Sequence, residues 1–292
     1  MITIFAVPKP FVGEFLGIQQ NAIRSWLQLR PKPEIILFGN DQKLRHLCRA
    51  FHLKQIPDIK ATSQGAPRLD YLFSTAQARA KNKVLAYVNS DIILLQNFGE
   101  TAQHIRSLLP HFLIVGRRFE LRLPHLIKFD DPSWQHQLLA AVQKSGKLKS
   151  VAWMDYFVFP KGQMIDIPAF ALGRTFWDKW LVWYTREKHY PVVDATRSIT
   201  AIHQSHSYRH VAHGENQIWK GTEAQANFLI AGGWTRSLTI NYANYKYREG
   251  KLIEQSLWRK AVNQAADGLK KIMDLYPNRL TLFNLVRKLK NY

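Results

Sequence analysis

The stretch LAYVNSDIILL (residues 85–95) breaks a run of buried-strand residues with a polar triplet, Asn89, Ser90 and Asp91, and then resumes it. Apolar runs without alternation belong to parallel strands covered on both faces, so residues 84–88 read as a central strand and residues 92–95 as its continuation. A carboxylate between two such segments is costly unless a cation meets it, and a divalent ion at a strand end would serve. The plain alternative is an Asx turn that closes the strand.

Outward from this triplet, short apolar runs alternate with segments of helical period, the pattern of an α/β protein with a mostly parallel sheet wrapped by helices. ITIFAV (2–7) reads as a first strand and FLGIQQNAIRSWLQL (15–29) as the helix after it. PEIILFGND (33–41) gives a second strand and a turn that opens the helix DQKLRHLCRAF (41–51). LKQIP (53–57) is a short strand, residues 65–80 enter a helix, and HFLIVGRR (111–118) is one more strand. Beyond Arg118 the chain turns to loops rich in proline, aromatic residues and charge. DYFVFP (155–160), the helical TFWDKWLVWYTREK (175–188) and two extended segments, YPVVDAT (190–196) and ITAIHQSHSY (199–208), follow.

This divides the chain into residues 1–245, with a nucleotide-binding half (1–118) and an acceptor half (119–245), and a basic helical extension at 246–292. Within the extension, Lys270, Lys271, Arg287, Lys288 and Lys290 accompany Leu282, Leu285, Val286 and Leu289, so it either covers the domain or lies on an anionic membrane surface.

Cys48 is the only cysteine, which excludes internal disulfides and thiolate metal clusters. No uncharged run approaches the ~18 residues of a spanning helix, and MITIFAVPKPF lacks a basic leader, so a cytoplasmic location is expected, peripheral to a membrane at most. The formal charge of +20 implies an anionic partner: phosphorylated substrates, a membrane surface or nucleic acid. A nucleic-acid-binding protein that stacks bases on its nine tryptophans is the rival from another class. It accounts for the charge but not for the motif series.

The series VPKPF, NAIRSWLQL, EIILFGND, YVNSDIIL, VGRRFEL, DYFVFPKG, FALGRTFWDKWL and TAIHQSHSY, in this order over about residues 1–233, resembles a group of bacterial and plant glycosyltransferases of the GT-A type. The resemblance implies a Rossmann-like GT-A fold and transfer of a sugar from a nucleoside-diphosphate donor, a UDP- or GDP-sugar first, to a hydroxyl acceptor that is lipid-linked if the chain works at a membrane. Asn89-Ser90-Asp91 stands in the place of the family's DxD motif, with Asn where the first Asp would be. Asp91 would hold Mn²⁺ or Mg²⁺ with Asn89, and a late histidine, His203 or else His206, would return to the metal. Asn89 and Ser90 also join the donor site.

The base is implied near Pro8 to Phe11 and Gly39 to Asp41, beyond the carboxyl ends of the first two strands, where ligands of open α/β sheets bind. Asp41 reads equally as a helix cap. Arg68 either reaches a phosphate or stays at the surface. Arg117 and Arg118 point to opposite faces of their strand, so one of them at most meets the diphosphate. Asp178, between Trp177 and Trp180, reads as a general base with a raised pKa or as an acid at a helix N-terminus. Asp155 is the second candidate, or a hydrogen-bond partner of the donor sugar. His203, His206, His210 and His213 invite a structural zinc site, which the lack of an accompanying cysteine or H-E-x-x-H argues against. A nucleotidyltransferase of related fold would carry a glycine-rich phosphate loop after the first strand, where VPKPFVGEF is poor in glycine.

Overall fold

The computed structural model describes residues 1–206 and 215–275. The apolar runs at the N-terminus form strands β1 (Ile2–Ala6), β2 (Glu34–Phe38), β3 (Lys54–Ile56) and β4 (Val84–Val88), with helices α1 (Glu14–Leu27), α2 (Gln42–Ala50) and α3 (Leu69–Arg79) as crossovers. These strands pair in parallel in the order β3-β2-β1-β4. After the polar triplet come β5 (Ile92–Leu94), α4 (Asn97–Leu108), β6 (Leu113–Val115), β7 (Phe119–Leu121), α5 (Trp134–Ser145) and β8 (Lys147–Leu148). The chain continues through β9 (Tyr156–Pro160), α6 (Trp177–Glu187), β10 (Val192–Asp194), β11 (Ala201–Gln204), α7 (Glu215–Lys220) and α8 (Thr222–Ala231). A 3₁₀ turn (Ile240–Tyr242), β12 (Tyr245–Arg248), β13 (Lys251–Glu254) and α9 (Leu257–Leu275) end the described chain.

The central sheet has nine strands in the order β13-β12-β10-β6-β9-β4-β1-β2-β3. Only β9, antiparallel to β4 and β6, and β13, antiparallel to β12, run against the rest, so the sheet is mostly parallel. Side chains alternate between two cores, as a pleated strand covered on both faces requires. Ile4, Ala6, Ala86 and Val88 meet Trp26 of α1, Leu44 of α2 and Phe98 of α4 on one face. Phe5, Leu85 and Tyr87 meet Phe73 of α3 and Leu181 of α6 on the other. Phe5, Phe73 and Tyr87 pack ring against ring there, with Phe5 and Phe73 centroids 5.1 Å apart. A second sheet, β5-β11-β7-β8, lies beside the first and packs on α5 through Trp134, Leu138 and Val142.

The sequence pattern shows neither α4 nor α5. Each buries a short apolar stripe, Phe98, Ala102 and Ile105 in one and Trp134, Leu138 and Val142 in the other, among polar residues. The boundary read at 245/246 falls inside β12, and residues 246–254, read as part of a helical extension, instead carry β12 and β13 at the edge of the central sheet.

Lys270 departs from its reading as a cation for an anionic surface. It is 1 % exposed and donates to Tyr242 Oη at 2.8 Å and to Asp267 Oδ1 at 3.0 Å, which ties α9 to the turn at Ile240–Tyr242. Lys271 is exposed. The stretch 279–292, read as a membrane-surface helix, lies outside the described residues. No helix among the described residues is long and apolar enough to cross a membrane. Trp26, Trp134, Trp177 and Trp180 are buried, which removes them from any base-stacking surface.

Candidate active site

A cavity of about 680 Å³ opens beyond the carboxyl ends of β1 and β4, where the strands of an open α/β sheet present their loops to a ligand. One wall is the segment after β1, with Pro8 and Lys9, and the triplet Asn89-Ser90-Asp91 after β4. Arg118, Asp155, Asp178, His203 and His206 complete the polar lining, and Trp153, Trp177 and Trp219 supply aromatic surface.

Asp91 is the centre of a charged cluster. Its Oδ2 lies 3.4 Å from His206 Nε2, 3.6 Å from His203 Nε2 and 3.7 Å from Lys9 Nζ. The antiparallel pairing of β11 with β5 sets His203 opposite Ile92, next to Asp91 in the chain. Burial alone would raise the Asp91 carboxyl, but the charge and hydrogen bond of His203, the hydrogen bond from His206 and the charge of Lys9 outweigh it and hold the group well below the usual carboxylate range. His203 also meets Glu120 through Nδ1 at 3.1 Å. Burial pushes the His203 imidazole down, and the two carboxylates more than offset it, raising it to about 9. Burial acts upward on Glu120, and the bond to His203 brings it down to about 2.

Asp91, His203 and His206 each offer one ligand atom, all within 4.8 Å of one another. Two donors about 2.1 Å from a common ion stand about 3.0 to 3.4 Å apart at roughly tetrahedral to octahedral angles, close to the 3.4 and 3.6 Å from Asp91 Oδ2 to the two histidines. Asp91 Oδ1 is buried with no hydrogen-bond partner among the described residues. Glu120 orients His203 as carboxylates orient metal-bound imidazoles. Two imidazoles and a carboxylate suit a divalent transition ion better than Mg²⁺, which prefers an all-oxygen shell. The residues therefore fit a divalent ion, which must displace the His203 proton to bind.

Asn89 is occupied elsewhere. Its Oδ1 accepts from Tyr87 Oη at 2.9 Å, and its Nδ2 donates to Asp155 Oδ1 at 2.6 Å. Arg118 donates to the same Asp155 oxygen at 2.8 Å and packs its guanidinium 4.7 Å from the Trp153 ring centroid. Asp155 Oδ2 is buried without a hydrogen-bond partner among the described residues. Ser90 donates to Gln19 Oε1 at 2.9 Å, and Gln19 holds the Lys9 backbone on both sides, at 2.6 and 2.9 Å. The triplet thus fixes the loop that carries Lys9. Gly116 lets the segment after β6 pass Tyr156, since a Cβ there would sit 1.8 Å from the Tyr156 hydroxyl.

Of the adjacent arginines, Arg118 faces the cavity, while Arg117 turns away and donates to the Lys149 carbonyl. Asp41 caps α2 by accepting from the Leu44 amide at 3.0 Å, and Arg68 pairs with Asp70 at 2.6 Å. Neither lines the cavity. Pro8 does. His210 and His213 lie outside the described residues.

Asp178 stands in the first turn of α6, half-buried on the cavity wall. Burial raises its carboxyl above the ordinary value, against the lowering pull of Lys179 and the helix amides. Phe176, the residue before the helix, has φ +83°, a strained conformation for a residue with a side chain. Its ring is held between Phe228 and Trp234, at 5.0 and 5.5 Å.

Glu120, Trp153 and Trp219 escape the sequence reading, and Lys9 enters it only within the segment Pro8 to Phe11, with no role of its own. A lysine one residue past a proline at a strand end is a usable signal for Lys9. The other three come from segments that only the fold brings together.

No protein-family model matches the chain, and no curated protein matches it. Among solved structures it is similar to S. aureus TarS 1-349, at 13% identity and TM-score 0.33 over 44% of this chain and 39% of that one. It is also similar to S. aureus TarS 1-349 in complex with UDP-GlcNAc, at 14% identity and TM-score 0.32 over 44% and 37%. A third match, S. aureus TarS, has 13% identity and TM-score 0.46 over 70% and 37%. The chain spans at most 39% of the length of these structures.

Proposed function

We propose that the chain is a glycosyltransferase of the GT-A kind, moving a sugar from a nucleoside-diphosphate donor, a UDP- or GDP-sugar first, to a hydroxyl acceptor. The observation that carries this reading is the convergence of Asp91, His203, His206 and Lys9 beyond the strand ends, in one cavity with Asp155 and Asp178. Residues 1–118 would supply the donor side and residues 119–245 the acceptor side.

A divalent ion, Mn²⁺ in this reading, held by Asp91, His203 and His206 would neutralise the charge of the departing diphosphate. Lys9 and Arg118 add fixed positive charge along the same wall. Pro8 borders the base. Asp155, fixed by Asn89 and Arg118, presents Oδ2 to the hydroxyls of the donor sugar. Asp178 removes the proton of the acceptor hydroxyl as that oxygen bonds to the anomeric carbon and the bond to the diphosphate breaks, its electron pair leaving with the phosphate. Attack from the side opposite the diphosphate inverts the anomeric centre. The charge of +20 and the basic stretch 279–292 support a peripheral position on an anionic membrane.

A thermal-shift panel of UDP, GDP, dTDP, CDP and ADP with and without Mn²⁺ tests the reading, because a ligand that binds only the native state stabilises it by mass action. One diphosphate should raise the melting temperature, more so with Mn²⁺. A flat panel, or a response to single-stranded oligonucleotides alone, rejects it.

A further inference from the structure

Two tryptophans on the cavity wall have no part in the chemistry above. Trp219, on α7, keeps 39 % of its surface exposed although it lines the cavity. Trp153 stands against it edge to face, with ring centroids 5.5 Å apart and planes at 73°. Trp153 is braced in turn by Arg118 and by the Lys149 ammonium 4.8 Å from its ring centroid. Buried aromatic rings normally give up most of their surface to packing. An indole that lines a cavity, keeps this much surface and is backed by a second, braced indole is shaped for a ligand.

The mount is rigid. Asn227 of α8, the helix that follows α7, clamps the loop before α6. It accepts from the Ala171 amide at 2.8 Å and donates to the Ala171 and Thr175 carbonyls, each at 3.0 Å. Arg174 in that loop is tied back to Glu223 of α8 at 2.7 Å. The helix pair bearing Trp219 and the loop leading to Asp178 are thereby held in a fixed relation, as a site that must present a hydroxyl to a base requires.

We infer that Trp219, supported by Trp153, is a stacking platform for a pyranose ring, so that the acceptor is itself a sugar. The inference rests on the glycosyltransferase reading for the word acceptor, but the platform itself does not. One face of a pyranose carries C–H groups, apolar and slightly positive, and matches the negative face of an indole, while its hydroxyls need polar partners at the rim. Asp178, Lys179 and Arg174 supply that rim. A lipid chain in the same place would desolvate Asp178 and Lys179 and offer them no hydrogen bond, whereas Arg174 keeps its pairing with Glu223. In the proposed reading the nucleobase is served by the segment after β1, whereas both tryptophans come from segments beyond residue 119.

The test measures binding of methyl glycosides of the common hexopyranoses and N-acetylhexosamines, and of their β-linked disaccharides, by ligand-detected NMR and calorimetry. UDP with Mn²⁺ is titrated in parallel. Saturable binding of at least one pyranoside is expected, weakened about tenfold or more by Trp219→Ala and largely kept by Trp219→Phe, with UDP binding unchanged in both. The inference is overturned if the folded parent binds no pyranoside, if Trp219→Ala binds as the parent does, or if Trp219→Ala loses UDP instead, which would make the platform a nucleobase site. Pyranoside binding without any nucleotide binding keeps the platform and removes the transferase reading. Nucleotide binding without pyranoside binding does the reverse.

Discussion

Asn89 donates to Asp155 Oδ1 at 2.6 Å, and Arg118 donates to the same oxygen at 2.8 Å. The first bond needs a donor at position 89, which an amide supplies and a carboxylate does not. An aspartate at 89 would face Asp155 at hydrogen-bond distance, with Arg118 shared between them, and two such carboxylates retain a proton. Asn89→Asp should therefore cost about 1–3 kcal/mol at neutral pH. The folded pair would hold its proton to higher pH than the unfolded chain, so the variant should lose stability as pH rises through the raised value. Denaturant melts of parent and variant at pH 5 and pH 8 check this. A variant as stable as the parent at both, with tighter Mn²⁺ binding, would return residue 89 to the metal.

Asp91→Asn should abolish the Mn²⁺-dependent part of nucleotide binding and leave the fold in place. The amide is a poor ligand, and it leaves His203, His206 and Lys9 facing one another without their shared anion. Calorimetry of UDP with and without Mn²⁺, beside circular dichroism, reads both effects. Unchanged nucleotide binding with the parent's Mn²⁺ response would reduce the polar triplet to a turn that ends a strand.

What the chain discloses before folding follows from the range of the forces involved. Residues 84–88 and 2–6 announce a covered parallel sheet because burial on both faces leaves no alternation in the sequence. Asp91 is conspicuous for the same reason: a charge among buried residues needs a partner. The partners are less visible. His203 meets Asp91 through an antiparallel pairing of β11 with β5 across more than a hundred residues, and no local period encodes that register. Arg117 and Arg118 lie in the link between β6 and β7, and which of them enters the cavity is set by distant partners, the Lys149 carbonyl for Arg117 and Asp155 for Arg118. Asn89 stands out as a polar residue beside a buried strand, yet its partner is Asp155, 66 residues away in the chain.

The buried ammonium of Lys270 predicts how α9 is held. Lys270→Ala removes the donor to the Tyr242 oxygen and one of two donors to Asp267 Oδ1, which keeps the Tyr242 hydroxyl, and should cost about 1–3 kcal/mol, whereas Lys271→Ala at the exposed neighbouring position should change stability by less than about 0.5 kcal/mol. Urea melts compare them. The same pair separates anchoring from surface binding. If the C-terminal region docks on anionic vesicles, flotation of the parent should fall with salt and with truncation at residue 276. Equal flotation of full and truncated chains, or of neither, would end the membrane assignment.

Asp178 carries the sharpest prediction because its structural and chemical roles pull in opposite directions. Its carboxyl is raised by burial, so the folded chain binds the proton more tightly than the unfolded chain does. Stability is then lost as pH rises from the ordinary carboxylate value through the raised one, and at neutral pH the charged side chain destabilises the fold. Asp178→Asn should melt higher than the parent at pH 7, by a margin that closes at acid pH where both states are protonated. The same variant should bind the nucleotide normally and lose about 10²- to 10⁴-fold in transfer rate, and the parent's rate should fall as pH drops through the Asp178 value, since a base must be ionised to accept a proton. A residue that only caps α6 would behave differently: its amide variant would keep the parent's rate and pH profile, and would melt at or below the parent's temperature. Melting curves and pH–rate profiles of the two proteins decide between a base kept at a cost in stability and an acid that serves the helix.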